Sequence, residues 1–144
     1  MLVRQMLALK QSQEVTTISP SASASDAAGE LSVRRIGCLV VSDDGTTVVG
    51  MLSERDIVRE LGKRGSGCLS DHVRDIMSSD IETCTQSETA DEVLRKMTDR
   101  RARHLPVIED GKLKGLISIG DVVFAKLSEM TMEKEALEGM IKGF

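Results

Sequence analysis

The sequence predicts an α/β (α+β) fold built from two homologous β-α-β-β-α units in tandem. The main observation is an internal repeat, which should be sought before any fold is assigned. Residues 15–19 align with residues 81–85, and residues 37–41 align with residues 103–107, both at a shift of 66. Within each copy, short apolar runs typical of buried strands alternate with segments whose apolar residues recur at helical spacing.

A Ser-x-x-Asp motif is the most informative part of each copy. It follows a glycine and two apolar residues, and it pairs Ser53 with Asp56 in the first copy and Ser118 with Asp121 in the second. By itself this pattern is typical of a helix N-cap with its capping-box acid. The same geometry could hold a phosphate at the free N–H groups of a helix start, while the carboxylate accepts hydrogen bonds from a ribose diol. Its occurrence at equivalent places in both copies favours a binding function.

The first copy contains each predicted element in order. Helices are expected where apolar residues recur every three or four positions, and a continuous apolar run indicates a buried strand. Pro20 stops the first strand, and residues 42–45 have the composition of a hairpin turn. The predicted elements are a short helix at 2–10, a strand at 15–18, a helix at 23–34, strands at 39–41 and 48–52, and a helix at 56–61.

The second copy repeats this order after a bridge at 62–67 that is expected to be flexible. Thr89 and Glu92 form a predicted capping box at the start of its first long helix. The predicted elements are a short helix at 73–77, strands at 81–84, 105–108 and 116–117, and helices from Thr89 and from Asp121. The predicted division of the chain is a first unit with the N-terminal helix at 1–62, a linker at 63–77 and a second unit at 78–144.

The last helix is longer than its counterpart in the first copy and carries an apolar stripe. Its positions are Val123, Leu127, Met130, Leu137, Ile141 and Phe144, with Lys134 as an interruption. An apolar helix face must be buried against something. Its own unit and a partner subunit are both candidates. A unit of about 60 residues is also marginal alone, so the two units are expected to pack together and leftover apolar surface favours a homodimer.

Composition excludes several classes of partner. The net charge is −4 over 144 residues, which argues against nucleic acid or an anionic membrane as the main partner. Aromatic residues make up 1% of the chain, with no Trp or Tyr, so stacking platforms for single-stranded nucleic acid are absent. The sequence has neither an apolar run long enough to span a bilayer nor the pattern of a signal peptide.

The three cysteines show no Cys-x-x-Cys spacing. Cys38 and Cys84 fall in predicted strands, where they should behave as small buried apolar residues. Cys68 falls in the Gly/Ser-rich linker and is expected to be exposed. An odd number of cysteines without framework spacing fits a reducing cytosol, so a cytoplasmic location is predicted.

The tandem resembles the CBS-domain pair, also called a Bateman module, of the stand-alone bacterial type. The resemblance covers nearly the whole chain, and the order, spacing and duplication of its motifs carry it. The matching segments are residues 17–20, 36–41, 50–56, 103–107 and 115–121. The resemblance implies two units related by pseudo-two-fold symmetry, with facing sheets and clefts between them.

The resemblance also implies a nucleotide-binding site in each copy. Asp56 and Asp121 would take the ribose hydroxyls, with Ser53 and Ser118 near the phosphate. The strand backbone at residues 17–18 and 83–84 would meet the adenine. A second segment of each copy, residues 36–38 or 102–104, would line the opposite wall and is called the wall segment. The full set of expected nucleotide-binding residues is Thr17, Ile18, Ile36, Gly37, Cys38, Ser53, Arg55, Asp56, Thr83, Cys84, Ala102, Arg103, His104, Ser118, Ile119 and Asp121.

The two expected sites differ in charge. The second has Arg103 and His104 where the first has Gly37 and Cys38, so only the second offers cationic donors for phosphate at that wall. The first has Arg55 inside its motif, which could reach a phosphate across the pseudo-symmetry axis. A solvated helix C-terminus is the structural alternative for Arg103. The sequence therefore allows one good pocket and one poor one, or two pockets with different ligands.

The leading hypothesis is a regulatory module that binds an adenine nucleotide and senses energy or redox state. AMP is the favoured ligand, with ADP, ATP, NAD(H) and S-adenosylmethionine as alternatives, and the output would act in trans on an unidentified protein. The alternative is a ligand-free scaffold or dimerisation protein on the same fold. A redox or metal function of the cysteines has little support from their spacing. An enzyme is not expected, because His72 and His104 lie outside any nucleophile or metal motif, and no metal is predicted.

Overall fold

The computed structural model describes residues 1–10 and 14–142. The fold is mixed α and β, as predicted, with a three-stranded sheet of order β1-β2-β3 and a two-stranded sheet β4-β5. Phe144, the last position of the predicted apolar stripe, lies outside the described residues. The elements are α1 (Val3–Leu9), β1 (Thr17–Ile18), α2 (Ala24–Arg34), β2 (Cys38–Val41), β3 (Gly50–Ser53), α3 (Glu54–Arg64), a 3-10 helix (Gly65–Ser70), α4 (Val73–Ile76), α5 (Ala90–Arg100), β4 (His104–Glu109), β5 (Lys112–Ser118) and α6 (Ile119–Ile141).

The sheet of the first repeat is organised around β2. All four of its residues are buried, as a continuous apolar run predicts. β1 runs parallel to it and β3 antiparallel. The antiparallel register places Cys38 opposite Ser53, so the start of β2 lies beside the start of α3.

The corresponding sheet of the second repeat has lost most of its first strand. The predicted strand at 81–84 is reduced to a single parallel bridge between Cys84 and Val107. Pro106 explains the difference, because it takes the place of Val40, whose N–H donates to the Thr16 carbonyl at 3.3 Å. Proline has no N–H to donate, so this rung of the ladder cannot form in the second repeat.

The predicted flexible bridge is helical instead. α3 continues to Arg64, and the 3-10 helix follows directly. The Arg64 guanidinium bonds to Glu60 at 2.9 Å and to Asp71 beyond the 3-10 helix, which ties the two ends of this segment together. The expectation that Cys68 is exposed was wrong, because its exposed fraction is 1%. The expected loop is thus an ordered, partly buried connection.

The described chain forms two compact units. One contains the N-terminal helix, Glu82–Val107 and the residues from Gly115 onward; the other contains Glu14–Ile81 and the hairpin tip Ile108–Lys114. Each unit has its own apolar core, which includes Leu105 and Ile117 in the former and Leu39 and Leu52 in the latter. The N-terminal helix was expected to belong to the first unit, but in space it belongs to the unit that contains most of the second repeat.

Each repeat packs with the short helix that precedes the other repeat in sequence. α1 joins the second repeat, where the N–H of Val3 donates to the Glu88 carbonyl at 2.8 Å. α4 joins the first repeat, where the N–H of Val73 donates to the Ala22 carbonyl at 2.8 Å. The two helices begin with the same dipeptide, Val-Arg, at residues 3–4 and 73–74. This is a second internal repeat that the sequence analysis missed.

A glycine at the start of each returning strand segment permits this packing. A Cβ on Gly50 would lie 2.7 Å from the Met77 sulfur and 2.8 Å from the Ser78 carbonyl oxygen. A Cβ on Gly115 would lie 2.7 Å from a methyl carbon of Leu7. Glycine is therefore required at position 50, where an added Cβ would meet backbone, whereas at position 115 an added Cβ would have to displace a methyl group of Leu7.

Replacing Gly50 with Ala should destabilise the protein by about 1–3 kcal/mol, because the added methyl group meets the Ser78 backbone, which cannot rotate away. Urea unfolding measures this change. Gly29→Ala is the matched control, since Gly29 lies on α2 with nothing within 4 Å of its Cβ position. It should stabilise the helix by about 0.5–1 kcal/mol. Equal effects of the two substitutions would contradict the close-packing explanation.

Candidate functional site

The Ser-x-x-Asp motif of the first repeat forms a reciprocal capping box at the start of α3. The N–H and the hydroxyl of Ser53 donate to Asp56 Oδ2 at 2.8 and 3.1 Å, and the N–H of Asp56 donates to Ser53 Oγ at 3.3 Å. The next residue links the motif to the wall segment, since the N–H of Glu54 donates to the Gly37 carbonyl at 3.0 Å. The strand end, the helix start and the turn before β2 therefore meet at one place.

Asp56 is a buried charge with a bound partner. Its exposed fraction is 7%, and the Arg59 guanidinium donates to Oδ1 at 2.9 Å. Buried carboxylates are retained when they are paired and hydrogen-bonded. Both carboxylate oxygens of Asp56 are engaged, one by the helix cap and one by a cation from the next turn of the same helix.

The second repeat builds the same capping box at the start of α6. The N–H of Ser118 donates to Asp121 Oδ2 at 2.8 Å, and the N–H of Asp121 donates to Ser118 Oγ at 3.1 Å. The N–H of Ile119 donates to the Arg103 carbonyl at 2.8 Å, which matches the bond from Glu54 in the first repeat. The repeat is therefore preserved at the level of individual hydrogen bonds.

The cation on the second aspartate has a different origin. Lys10, which follows α1, places its Nζ 3.0 Å from Asp121 Oδ2 and 2.8 Å from the Leu116 carbonyl oxygen. The side chains of Lys10 and Asp121 are 27% and 21% exposed. The sequence analysis assigned no role to Lys10 or to Arg59. Arg59 could have been inferred from its position three residues after Asp56 on one helix, whereas no local pattern indicates Lys10.

The remaining expected site residues of the first repeat lie on neighbouring strands of one sheet. Thr17 and Ile18 pair with the last two residues of β2, and both are half-buried. Ile36 and Gly37 lead into β2. Arg55 is exposed on the first turn of α3. Each unit thus gathers its own strand, wall segment and motif.

The second repeat gathers the equivalent residues on β4 and the segments beside it. Cys84 is buried beside β4, and the carbonyl of Thr83 accepts a hydrogen bond from Lys96 Nζ at 2.8 Å. Ala102 is half-buried and Arg103 is exposed, immediately before β4 begins at His104. The carbonyl of Arg103 is occupied by the helix start, but its guanidinium is on the surface and accessible to an anion.

Cys38 and Cys84 are poor nucleophiles in this environment. Burial, and secondarily the charge of Asp56, raises the pKa of the Cys38 thiol to about 12. Burial and then Glu88 raise the pKa of Cys84 to about 12, although Lys96 opposes this. Nucleophilic and metal-binding cysteines act as thiolates. Among the described residues, no group of three or more His, Cys, Asp or Glu side chains could hold a metal ion.

Comparison with known proteins identifies the repeated unit. The family model described as the CBS domain matches residues 8–63 and 73–128. Within the described part of the chain, none of the helices has the length and apolar character needed to cross a membrane.

Three proteins illustrate the similarity. The CBS-domain containing protein ATU1752 of Agrobacterium tumefaciens is 38% identical, with a TM-score of 0.82 over 88% of this chain and 99% of that one. The mitochondrial CBS domain-containing protein CBSX3 of Arabidopsis thaliana is 40% identical over 76 residues, which cover 51% of this chain and only 37% of that relative. The CBS domain pair of protein MJ0100 was solved with 5'-methylthioadenosine and S-adenosyl-L-methionine; it is 24% identical, with a TM-score of 0.76 over 87% of this chain and 98% of that one, and shows the shared fold alone.

The raised thiol pKa values predict a loss of stability at alkaline pH. The pKa of both thiols is near 9.0 when they are exposed and near 12 in the folded protein. Their contribution to the free energy of unfolding is therefore complete below pH 9 and is lost as the pH rises toward 12. At pH 10 the loss should be about 1.4 kcal/mol for each thiol. Urea unfolding between pH 8 and pH 10 measures it, and the Cys38→Ala and Cys84→Ala variants should each show a smaller decline. Parallel declines in all three proteins would contradict the prediction.

Proposed function

Because the chain belongs to the CBS-domain family and carries two copies of the domain, we propose that it is a regulatory module that binds an adenosine-containing ligand, with AMP as the favoured one. The observation that carries this proposal is the duplicated capping box. In each unit it presents an oriented aspartate at a helix start. The N–H of the first helical residue, Glu54 or Ile119, bonds to the segment expected to form the opposite wall.

The chemistry of this arrangement suits a nucleoside monophosphate. A helix start offers a partial positive charge to a phosphate, while the N–H groups of Glu54 and Asp56, like those of Ile119 and Asp121, are bonded within the protein. A carboxylate accepts hydrogen bonds from adjacent ribose hydroxyls, and unpaired strand backbone has both donors and acceptors for the edge of an adenine. The two ligands of the MJ0100 domain pair both contain adenosine, which supports this class of ligand for the shared fold.

The exposed guanidinium groups favour a charged ligand over a bare nucleoside. Arg55 lies on the first turn of α3, and Arg103 lies just before β4; both side chains are exposed. Arginine is well suited to phosphate because its planar donors match the phosphate oxygens. ADP, ATP, NAD(H) and S-adenosylmethionine are the alternatives, and the choice between energy and redox sensing depends on which of them binds. The output is proposed to act in trans on another protein, without catalysis by this chain.

We further propose that the protein is a homodimer through α6. With Lys134 counted as its one polar position, the expected stripe recurs at steps of 4, 3, 4, 3 and 4 from residue 123 to residue 141, which is the spacing of a coiled-coil seam. Its members are exposed within the described unit: Val123 48%, Leu127 57%, Met130 61%, Leu137 59% and Ile141 84%. An apolar surface of this extent is typical of an interface between proteins.

The charge pattern of the stripe favours a second copy in antiparallel orientation. In a parallel pair, Lys134 would face its own equivalent in the seam, and like charges there are unfavourable. In an antiparallel pair centred near residue 132, Lys134 lies opposite Met130, and Leu127 lies opposite Leu137. The stripe is therefore complementary to itself under a two-fold axis, as the interface of a symmetric dimer must be.

AMP should stabilise the protein against thermal unfolding, by about 2.7 kcal/mol at a concentration one hundred times the Kd, because only the folded state binds. The double variant Asp56→Asn/Asp121→Asn should keep its fold, since the asparagine Oδ1 can still accept the hydrogen bond from the N–H of Ser53 or Ser118, but it should lose the AMP-dependent shift. Asp99→Asn, an exposed acid on α5, is the matched control and should respond as the wild type does. A double variant that AMP still stabilises would exclude the proposed site. A wild type that no adenine nucleotide stabilises would favour the scaffold alternative.

Leu127→Glu should convert the dimer into a monomer, because it places a charge in the centre of the apolar seam. Light scattering coupled to size-exclusion chromatography measures the molar mass of the protein in solution and so distinguishes a dimer from a monomer. Val33→Glu is the control, since Val33 is 84% exposed on α2 and outside the proposed seam. A wild type that runs as a monomer at high concentration, or a Leu127→Glu variant that remains dimeric, would refute this interface.

A further inference from the structure

The aspartate of the second repeat is held by a cation from outside that repeat. Lys10 Nζ contacts both Asp121 Oδ2, at 3.0 Å, and the Leu116 carbonyl oxygen, at 2.8 Å. In the first repeat the equivalent aspartate is held by Arg59, which belongs to the same helix. The two sites therefore have the same capping box, but the cation that binds the aspartate comes from a different element in each.

The contact with Lys10 fixes the orientation of the carboxylate. Asp121 Oδ2 receives two donors, the N–H of Ser118 at 2.8 Å and the ammonium group of Lys10 at 3.0 Å. Two donors on one oxygen restrain rotation about the last side-chain bond. The pair is also largely sheltered, with exposed fractions of 27% and 21%, so its attraction is less screened than that of a surface ion pair.

A docked helix brings Lys10 to this position. Lys10 is the C-cap residue of α1, and its N–H donates to the Leu7 carbonyl at 3.2 Å. Leu7 packs against the backbone of Gly115, one residue before Leu116. The ammonium group therefore reaches Asp121 only while α1 remains packed on the second repeat.

We propose that Lys10 is a positioning residue of the second-repeat site. It holds the Asp121 carboxylate in the orientation that accepts the two ribose hydroxyls, and it makes the affinity of this site depend on the docking of α1. This inference rests on the proposed nucleotide-binding function. Because Lys10 acts on the ribose through Asp121, its removal should weaken the binding of adenosine and of AMP alike, and should leave the first-repeat site unchanged.

Isothermal titration of a chain that carries Asp56→Asn isolates the second-repeat site. In this background, Lys10→Gln should weaken the binding of both AMP and adenosine by about tenfold, and Lys10→Arg should restore most of the affinity. Lys126→Gln is the matched control, since Lys126 pairs with Asp91 and Glu129 in the same unit, and it should have little effect. The preference for AMP over 2'-deoxy-AMP should also fall in Lys10→Gln, a change that a general loss of stability would not produce.

Three results would overturn the proposal. A Lys10→Gln variant that binds both ligands as well as the Lys126→Gln control does would show that the contact is only structural. A loss confined to AMP, with adenosine unaffected, would show that Lys10 contacts the phosphate directly. Absence of binding by the parent chain, together with absence of binding by the unmodified protein, would remove the proposed function and this inference with it. The first of these results would remove this inference alone and would leave the proposed function standing.

Discussion

The capping box between a returning strand and the following helix is the interaction on which both repeats depend. In each repeat one carboxylate accepts a hydrogen bond from the N–H of the cap residue and fixes the first turn of α3 or α6. The same carboxylate lies at the end of the returning strand. The next N–H along the chain ties the same turn to the wall segment, through Gly37 or Arg103. The residues that the helix needs for its start are thus the same residues proposed to bind the ribose and phosphate of a nucleotide.

Each repeat is completed by the short helix that precedes the other repeat in sequence. α1 completes the second repeat and α4 completes the first, and in each case a glycine, Gly115 or Gly50, allows the close approach. Small domains bury a limited fraction of their surface, so each repeat needs this added helix to complete its core. Neither repeat is therefore a self-contained stretch of sequence, although each is a compact unit in space.

Much of the fold follows from the sequence because periodicity and turn chemistry are local. The repeat, the buried strand β2 and the caps at Ser53, Thr89 and Ser118 were all predictable. The weakened strand near Cys84 required knowledge that Pro106 occupies a hydrogen-bonded position. Burial of Cys68 depended on packing of the linker. The pairing of Asp121 with Lys10 could not be predicted, because the two residues belong to separate elements, lie far apart in sequence and have no shared pattern. The pairing of Asp56 with Arg59 was missed although both lie on one helix, three residues apart.

Equilibrium dialysis can test whether this chain binds AMP through Asp56 and Asp121. The chain has no Trp or Tyr and only two Phe, so absorbance at 260 nm reports the nucleotide almost alone. We expect excess AMP on the protein side for the wild type, saturating at no more than two molecules per chain, and no excess for the Asp56→Asn/Asp121→Asn variant. Equal AMP on both sides of the membrane with the wild type at millimolar nucleotide, or equal excess with both proteins, would contradict it.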